Sequence, residues 1–269
     1  MKDSVSGESG VGFADRGTRF DGTEAAGGSF AALRKTARIT GYWYLALAIA
    51  GLLGFLIIRP QIYVPGEPAS TLANLVDRAA LARIGLALEL GLVVTQALAA
   101  VWFYKLFRSF NEVAAWALAV FGIVNAVAIM ASAGFMATAL TVSGDVSLAA
   151  GGDPAGIVQL MYQLSSNAWG VGALFFGLWL IPMGHIAAGS GLMPKGLGRL
   201  LIVGGSGYLL SAFASYAFSD LPAWLVQVLA MPATIGEFWM IGYLLTVGIR
   251  RAAVGSTSPT LPQTRAAVS

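Results

Sequence analysis

Two glutamates lie inside stretches of this chain that otherwise have the composition of membrane-spanning helices. These residues are Glu89 and Glu237. A carboxylate at mid-bilayer depth costs several kcal/mol unless it is paired with a cation, protonated or exposed to water. Both residues are therefore candidates for a functional site, because a carboxylate there could bind a cation, a proton or an amine-bearing ligand.

Asn125 falls at the depth of the two glutamates, and Asn167 and Arg83 lie further toward one end. Counted at about 1.5 Å per residue from the charged residues at one end of each span, Glu89, Asn125 and Glu237 lie within about one helical turn of a common layer. Asn167 lies somewhat further toward the opposite end. Arg83 lies roughly one and a half turns beyond Glu89 and is the nearest cation to this layer. We therefore predict an intramembrane polar site formed by these five residues.

The two carboxylates can be interpreted in two ways. In the first, they line an internal cavity and bind a ligand, with Asn125 and Asn167 as neutral hydrogen-bonding groups. In the second, they hold the helices together: Glu237 pairs with Arg83, and Glu89 is protonated and bonded to a neighbouring helix. Buried ion pairs of this second kind occur in membrane bundles that have no transport role, so the sequence leaves both alternatives open.

The helices that must position these residues are predicted from hydropathy. The chain of 269 residues is 57% hydrophobic and 11% charged, with a mean hydropathy of +0.74, whereas soluble domains carry roughly 25% charged residues. We predict an all-α, polytopic membrane protein in which residues 38–250 form one six-helix bundle, with its longest loops at 59–79 and 142–160. Each predicted span reaches the ~20 residues needed to cross the hydrocarbon core: 39–58, 80–104, 113–141, 161–188, 197–217 and 222–249.

The basic residues predict the orientation of this bundle. With six spans, all but three of the 16 lysines and arginines fall on one side of the membrane, and the exceptions are Arg59, Arg78 and Arg83. Basic residues accumulate on the cytoplasmic side, so both termini are predicted to be cytoplasmic. Residues 1–37 are interpreted as a disordered cytoplasmic arm without a signal peptide, and residues 251–269 as a disordered cytoplasmic tail.

The types of residue present argue against most cofactor chemistry. The chain has no cysteine and a single histidine, His185, which excludes disulfides, thiolate metal sites and a bis-histidine haem. No lysine lies mid-membrane for a retinal Schiff base, and no HExxH zinc motif or phosphate-binding loop is present. We therefore predict no haem, retinal, zinc or nucleotide cofactor and no metal site. The lipid bilayer explains the basic charge, so no nucleic-acid partner is predicted.

Small residues recur on the fourth and fifth predicted spans. Gly204–Gly207 has the G-x-S-G form of rhomboid proteases, but that chemistry needs a histidine on a later helix, and no histidine follows residue 185. We therefore predict no catalytic residue and no enzyme. Small residues spaced four apart favour close helix contacts instead, and the predicted contact face comprises Ala173, Gly177, Gly207, Ser211 and Ser215.

Several short segments, in order along the chain, form a recognisable set: Ala37–Tyr42, Val64–Glu67, Ala82–Gly85, Gly189–Pro194, Leu197–Gly198, Gly207–Leu209, Gly236–Glu237 and Gly248. As a set they resemble the DUF4386 family of uncharacterised bacterial integral membrane proteins. The resemblance implies a six-span fold in the bacterial plasma (inner) membrane, but it supplies no activity.

The resemblance also bears on the predicted site. It implies that Arg83, Glu89 and Glu237 match recurrent polar positions of the family. Asn167 stands where the family leads us to expect a histidine, and this argues against a histidine-dependent proton relay at that position.

Two functions are compatible with these observations. The first is a small transporter or a membrane protein that binds a ligand or ion, with Glu89 and Glu237 at a central polar site and Arg83 as the counter-charge. The second is a non-catalytic accessory or scaffold subunit of a larger membrane complex, or a homo-oligomer, packed through the small-residue faces of spans four and five. An intramembrane enzyme ranks third, because no nucleophile and base can be paired.

Overall fold

The computed structural model of the chain describes residues 17–218 and 222–250, and within these ranges it contains helices and no strand. The elements are, in order, α1 (Gly17–Gly51), a π-helical segment (Leu52–Ile58), α2 (Arg59–Ile62), α3 (Pro68–Asp77), α4 (Ala79–Phe107), α5 (Glu112–Gly144), two 3-10 turns (Val146–Leu148 and Ala150–Gly152), α6 (Pro154–Gly189), α7 (Lys195–Ala217) and α8 (Ala223–Thr246).

Six helical stretches of the described chain are long and apolar enough to cross a membrane. They are Gly28–Ile62, Ala79–Phe107, Glu112–Gly144, Pro154–Gly189, Lys195–Ala217 and Trp224–Thr246. These stretches coincide with the six predicted spans and confirm the prediction of an all-α, six-helix bundle. The protein is a multi-pass membrane protein.

The spanning helices form a closed ring in chain order. α1 packs against α4, each later spanning helix packs against the next, and α8 returns to α1. The short helix α3 lies against α4, α5 and α6 and buries Thr71 and Leu75. Because each helix with its side chains is about 10 Å wide, six helices in a ring leave a central space that side chains must fill or leave open.

Aromatic side chains fill the half of the ring nearest loop 108–111. Tyr44 is 2% exposed, Phe103 and Trp179 are 0% exposed, and the three meet edge to face with ring centroids 5.3 to 5.6 Å apart. Gly122 on α5 provides the necessary room, since a Cβ at this position would lie 2.7 Å from the Trp179 ring. This packing closes the centre of the bundle at that end.

The first spanning helix changes its hydrogen-bonding pattern as it approaches Pro60. A proline inside a helix removes one N–H donor and crowds the preceding turn. Here the preceding residues Leu52–Ile58 are π-helical, and the N–H of Arg59 bonds to the carbonyl of Gly54. A π turn holds more residues than an α turn, which rotates the side chains that follow it. The next side chain is that of Arg59, which is 7% exposed and points into the bundle.

The start of the bundle lies earlier in the chain than predicted. α1 begins at Gly17 as described, so residues 17–37 are helical and do not belong to a disordered arm. Ala37 is buried in the main apolar core and Leu33 packs against that core, which gives this segment a reason to stay helical. Residues 1–16 and 251–269, which carry the remainder of the predicted arm and the tail, lie outside the described residues.

The predicted loop 59–79 is mostly helical as well. α2 continues the first span through Ile62, and α3 occupies Pro68–Asp77. The sequence suggested a loop because Pro60, Pro65, Gly66 and Pro68 interrupt the apolar pattern. Pro68 instead stands in the first turn of α3, where the absent N–H costs nothing, and Pro60 lies within the continuous first span directly after the π-helical segment.

Candidate ligand-binding site

A cavity of about 640 Å³ lies inside the ring, on the far side of the aromatic cluster formed by Tyr44, Phe103 and Trp179. Sites for small molecules and cofactors typically measure 300–1,000 Å³ and are mostly apolar with a few polar groups. The walls come from all six spanning stretches. They are formed by Tyr44, Leu47, Ala48, Gly51, Leu52, Phe55, Leu56, Leu92, Gln96, Asn125, Ile129, Ser166, Trp169, Gly170, Ala173, Phe176, Tyr208, Thr234, Glu237, Phe238 and Ile241.

Glu237 on α8 supplies the one carboxyl group of this lining. The hydroxyl of the buried Tyr44 donates a hydrogen bond to Glu237 Oε1 at 2.5 Å. Glu237 is only partly buried, and its accessible surface contributes to the cavity wall. Since no lysine or arginine belongs to the described lining, the carboxyl group keeps acceptor capacity for a donor or cation that enters the cavity.

Gln96 on α4 is an unpaired polar group buried in the cavity wall. Its side chain is 0% exposed, and neither its Nε2 nor its Oε1 has a hydrogen-bond partner. Leaving a buried polar group unpaired costs about 1–3 kcal/mol. A hydrocarbon side chain at position 96 would avoid this cost. The amide leaves one acceptor and two donors unsatisfied in the wall.

A separate polar cluster surrounds Glu89 on α4. Ser132 on α5 donates to Glu89 Oε1, and the indole Nε1 of Trp169 on α6 donates to the same oxygen at 3.0 Å. The Ser132 hydroxyl also lies 2.6 Å from the Ser165 hydroxyl. Glu89 is 8% exposed, so these contacts from two neighbouring helices replace most of the water that the carboxyl group loses.

Arg59 forms the other end of this cluster. Its Nη1 donates to Ser165 Oγ at 2.9 Å, and its Nη2 donates to Ser166 Oγ at 2.9 Å and to the Tyr162 carbonyl at 3.2 Å. The guanidinium also lies 5.7 Å from the Tyr162 ring centroid, a cation–π distance. Ser165 and Ser132 thus connect the cation Arg59 to the carboxylate Glu89 through hydrogen bonds rather than by direct contact.

The Glu89 cluster and the cavity share two side chains. Trp169 bonds to Glu89 and Ser166 bonds to Arg59, and both belong to the cavity wall. Glu89 and Arg59 themselves are not part of the lining. The cluster therefore supports one wall of the cavity, while Glu237 faces its interior and Gln96 lies buried within its wall.

The structure brings together only part of the predicted polar site. Asn125, which is 3% exposed, and Glu237 line the same cavity, and Glu89 lies behind Trp169. Asn167 is exposed, and its side chain accepts from Gln163 Nε2 at 3.3 Å. Its position on the outward face of α6 removes it from the site.

The predicted pairing of Arg83 with Glu237 is wrong. Arg83 is exposed on the outer surface of α4, whereas Glu237 bonds to Tyr44 on α1. The cation inside the bundle is Arg59, which belongs to the predicted loop 59–79. Arg59 follows an unbroken apolar run and directly precedes Pro60. The apolar run up to Arg59 indicates that the span continues beyond residue 58.

Most of the small-residue face predicted on spans four and five lies inside the bundle, whereas Ser215 is exposed. A Cβ at Gly177 would lie 2.8 Å from the Gly205 carbonyl oxygen, and one at Gly207 would collide with the Leu229 carbonyl of α8. Ser211 and Ser215 donate to backbone carbonyls of their own helix at 2.8 and 2.7 Å, and Ala173 lines the cavity. An accessory subunit or second copy remains a hypothesis, but Gly177 and Gly207 already contact helices of this chain.

The ring of six spanning helices and its internal cavity define a multi-pass membrane protein with a candidate ligand site. A family model described as "Domain of unknown function (DUF4386)" matches residues 39–248, which is most of the chain. The protein belongs to the DUF4386 family, and the resemblance predicted from the sequence is confirmed. No match was found among curated proteins or among solved structures.

Proposed function

We propose that this membrane protein binds a small molecule that carries a protonated amine or a similar N–H donor in the central cavity, as a transporter or a ligand-binding protein. One observation carries the proposal: a cavity of about 640 Å³ is lined by the Glu237 carboxyl group, and the unpartnered amide of Gln96 is buried in its wall. Charge complementarity favours a cationic head group, because the described lining holds a carboxyl group and no basic side chain.

Binding is proposed in preference to catalysis. Hydrolytic chemistry at a serine needs a neighbouring base to activate the hydroxyl. Among the described residues that line the cavity, Ser166 is the one serine. Its hydroxyl accepts a hydrogen bond from Arg59 and donates one to the Tyr162 carbonyl at 3.0 Å. A hydroxyl held between a cation and a carbonyl is poorly placed to lose its proton, which supports a non-catalytic role.

We expect at least one of two alkylammonium probes, butylammonium and dodecylammonium, to bind the protein in neutral-lipid nanodiscs. A hydrogen bond to a charged group is worth about 1.5–3 kcal/mol, so Glu237→Gln should weaken binding by roughly 10- to 100-fold. Titration calorimetry against empty nanodiscs measures this effect.

Glu112→Gln is the matched control for this titration, because Glu112 starts α5 at an exposed position outside the cavity. Its affinity should equal that of the unmodified protein. The proposal is wrong if neither probe binds, or if Glu237→Gln binds as tightly as the unmodified protein.

We also propose that the protein lies in a bacterial plasma membrane with both termini in the cytoplasm, as the distribution of basic residues indicates. The chain lacks cysteine, so single cysteines report sidedness without background. Ser109→Cys and Ser147→Cys are matched substitutions at exposed positions in loops at opposite ends of the bundle. In intact bacterial cells, a membrane-impermeant maleimide should label Ser147→Cys and leave Ser109→Cys unlabelled until the cells are lysed. The reverse labelling pattern would show that the protein has the opposite orientation in the membrane.

A further inference from the structure

The cavity wall is closed on one side and open on the other. On α4 and α5 the lining residues are buried: Leu92 is 5% exposed, Asn125 is 3% and Ile129 is 2%. On the π-helical segment and α8 the lining residues also reach the outer surface, because Leu56 is 63% exposed and Phe238 is 58% exposed. The cavity therefore meets its surroundings between the first and last spanning helices.

The contacts of α1 explain why a gap exists there. Around Gly41, α1 packs closely on α8, since a Cβ at this residue would lie 2.9 Å from Leu244 Cβ. Tyr44 and Glu237 form the next contact along this seam. Beyond it, the hydrogen bonds of Arg59 attach the far end of the span to α6. The helix is thus bonded to α8 in one half and to α6 in the other.

The gap lies at membrane depth. Its edges are residues 52–56 on the π-helical segment and 234–238 on α8, and both ranges fall inside the spanning stretches Gly28–Ile62 and Trp224–Thr246. At least Leu52, Leu56 and Phe238 on these edges are exposed apolar side chains, which suits contact with lipid chains and not with water. An opening at this depth admits molecules that are dissolved in the bilayer.

We infer that the ligand is a single-chain amphiphile with a protonated amine head, which enters the cavity from the bilayer between residues 52–56 and 234–238. The inference rests on the proposed function and specifies its ligand class. The head group binds the Glu237 carboxyl group, and the alkyl chain lies along the apolar wall toward the gap. The cavity of about 640 Å³ lies within the 300–1,000 Å³ range of small-molecule sites, which suits one alkyl chain better than the two chains of a phospholipid.

Two measurements in neutral-lipid nanodiscs test the route of entry and the ligand class. The first compares equilibrium binding of dodecylammonium with that of butylammonium, which has the same head group but stays mostly in water. 1-Dodecanol serves as the uncharged control for effects on the bilayer itself. We expect dodecylammonium to bind at least tenfold more tightly than butylammonium, and dodecanol at least tenfold more weakly than dodecylammonium.

The second measurement is the association rate of dodecylammonium by stopped-flow mixing. Thr234→Trp places a large side chain at an exposed edge of the gap and should slow association at least tenfold. Val127→Trp is the matched control, because Val127 is 52% exposed on α5 and does not line the cavity. Its rate should be unchanged.

The outcomes separate the inference from the proposed function. If butylammonium binds as tightly as dodecylammonium and Thr234→Trp associates at the normal rate, entry from the bilayer is wrong while the cavity proposal stands. If dodecanol binds as tightly as dodecylammonium, the claim that the site recognises a protonated amine head group is wrong. If no probe binds, or if Glu237→Gln changes no affinity, the proposed function fails as well.

Discussion

Replacement of Arg59 by leucine is expected to lower the free energy of unfolding by about 3–5 kcal/mol, the cost of leaving a buried charge without its partner. Arg59 is 7% exposed and donates hydrogen bonds to Ser165, Ser166 and the Tyr162 carbonyl. Without it, Glu89 loses the cation at the other end of its hydrogen-bonded cluster. Titration with SDS in mixed micelles measures the change.

Two further variants identify the cause of this loss. Arg59→Leu combined with Glu89→Gln removes both charges and should recover at least half of the lost stability, because no uncompensated charge then remains buried. Arg83→Leu is the matched control: Arg83 is exposed, and surface substitutions usually change stability by no more than about 0.5 kcal/mol. A cost at Arg83 as large as that at Arg59 would contradict the assignment of Arg59 as the internal cation.

Gly207→Leu is expected to destabilise the isolated protein by more than about 1–3 kcal/mol, the usual range for overpacking a core. The obstacle at Gly207 is the Leu229 carbonyl in the backbone of α8, which cannot rotate away as a side chain could. α7 and α8 must therefore separate to admit the larger residue. Thermal unfolding of the purified protein measures the effect.

Gly134→Leu is the control for this substitution, because a Cβ at Gly134 would meet no atom within 4 Å. It should leave the unfolding temperature close to that of the unmodified protein. If Gly207→Leu is equally harmless to the isolated chain but prevents co-purification with a partner, the small-residue face serves another subunit, and the accessory-subunit hypothesis gains support.

The six spans could be predicted from the sequence because a bilayer demands long apolar helices, and hydropathy measures that demand directly. The candidate site was harder to predict. Glu237 and Asn125 were found because a charged or amide side chain in an apolar run is costly. Their positions along the helices gave their depth but not the direction in which they face.

The remaining site residues could not be predicted because their roles depend on contacts with other helices of the chain. Gln96 lies in an apolar stretch, but nothing on α4 shows that its amide lacks a partner on another helix. Tyr44 belongs to an aromatic run near the start of a span, a pattern typical of the membrane interface, and only the packing of α1 on α8 brings it to Glu237. Arg59 was assigned to a loop because Pro60 follows it. In the structure the π-helical segment accommodates the proline, and the helix continues through Arg59.

The central claim is that the cavity holds an amine-bearing molecule against Glu237. The most direct test is an experimental density map of the protein in nanodiscs with saturating dodecylammonium. We predict elongated density in the cavity whose head group lies within about 2.7–3.2 Å of the Glu237 carboxyl oxygens, the normal hydrogen-bond range. A map in which the helices close the cavity, or in which the amine binds only elsewhere, would contradict the claim.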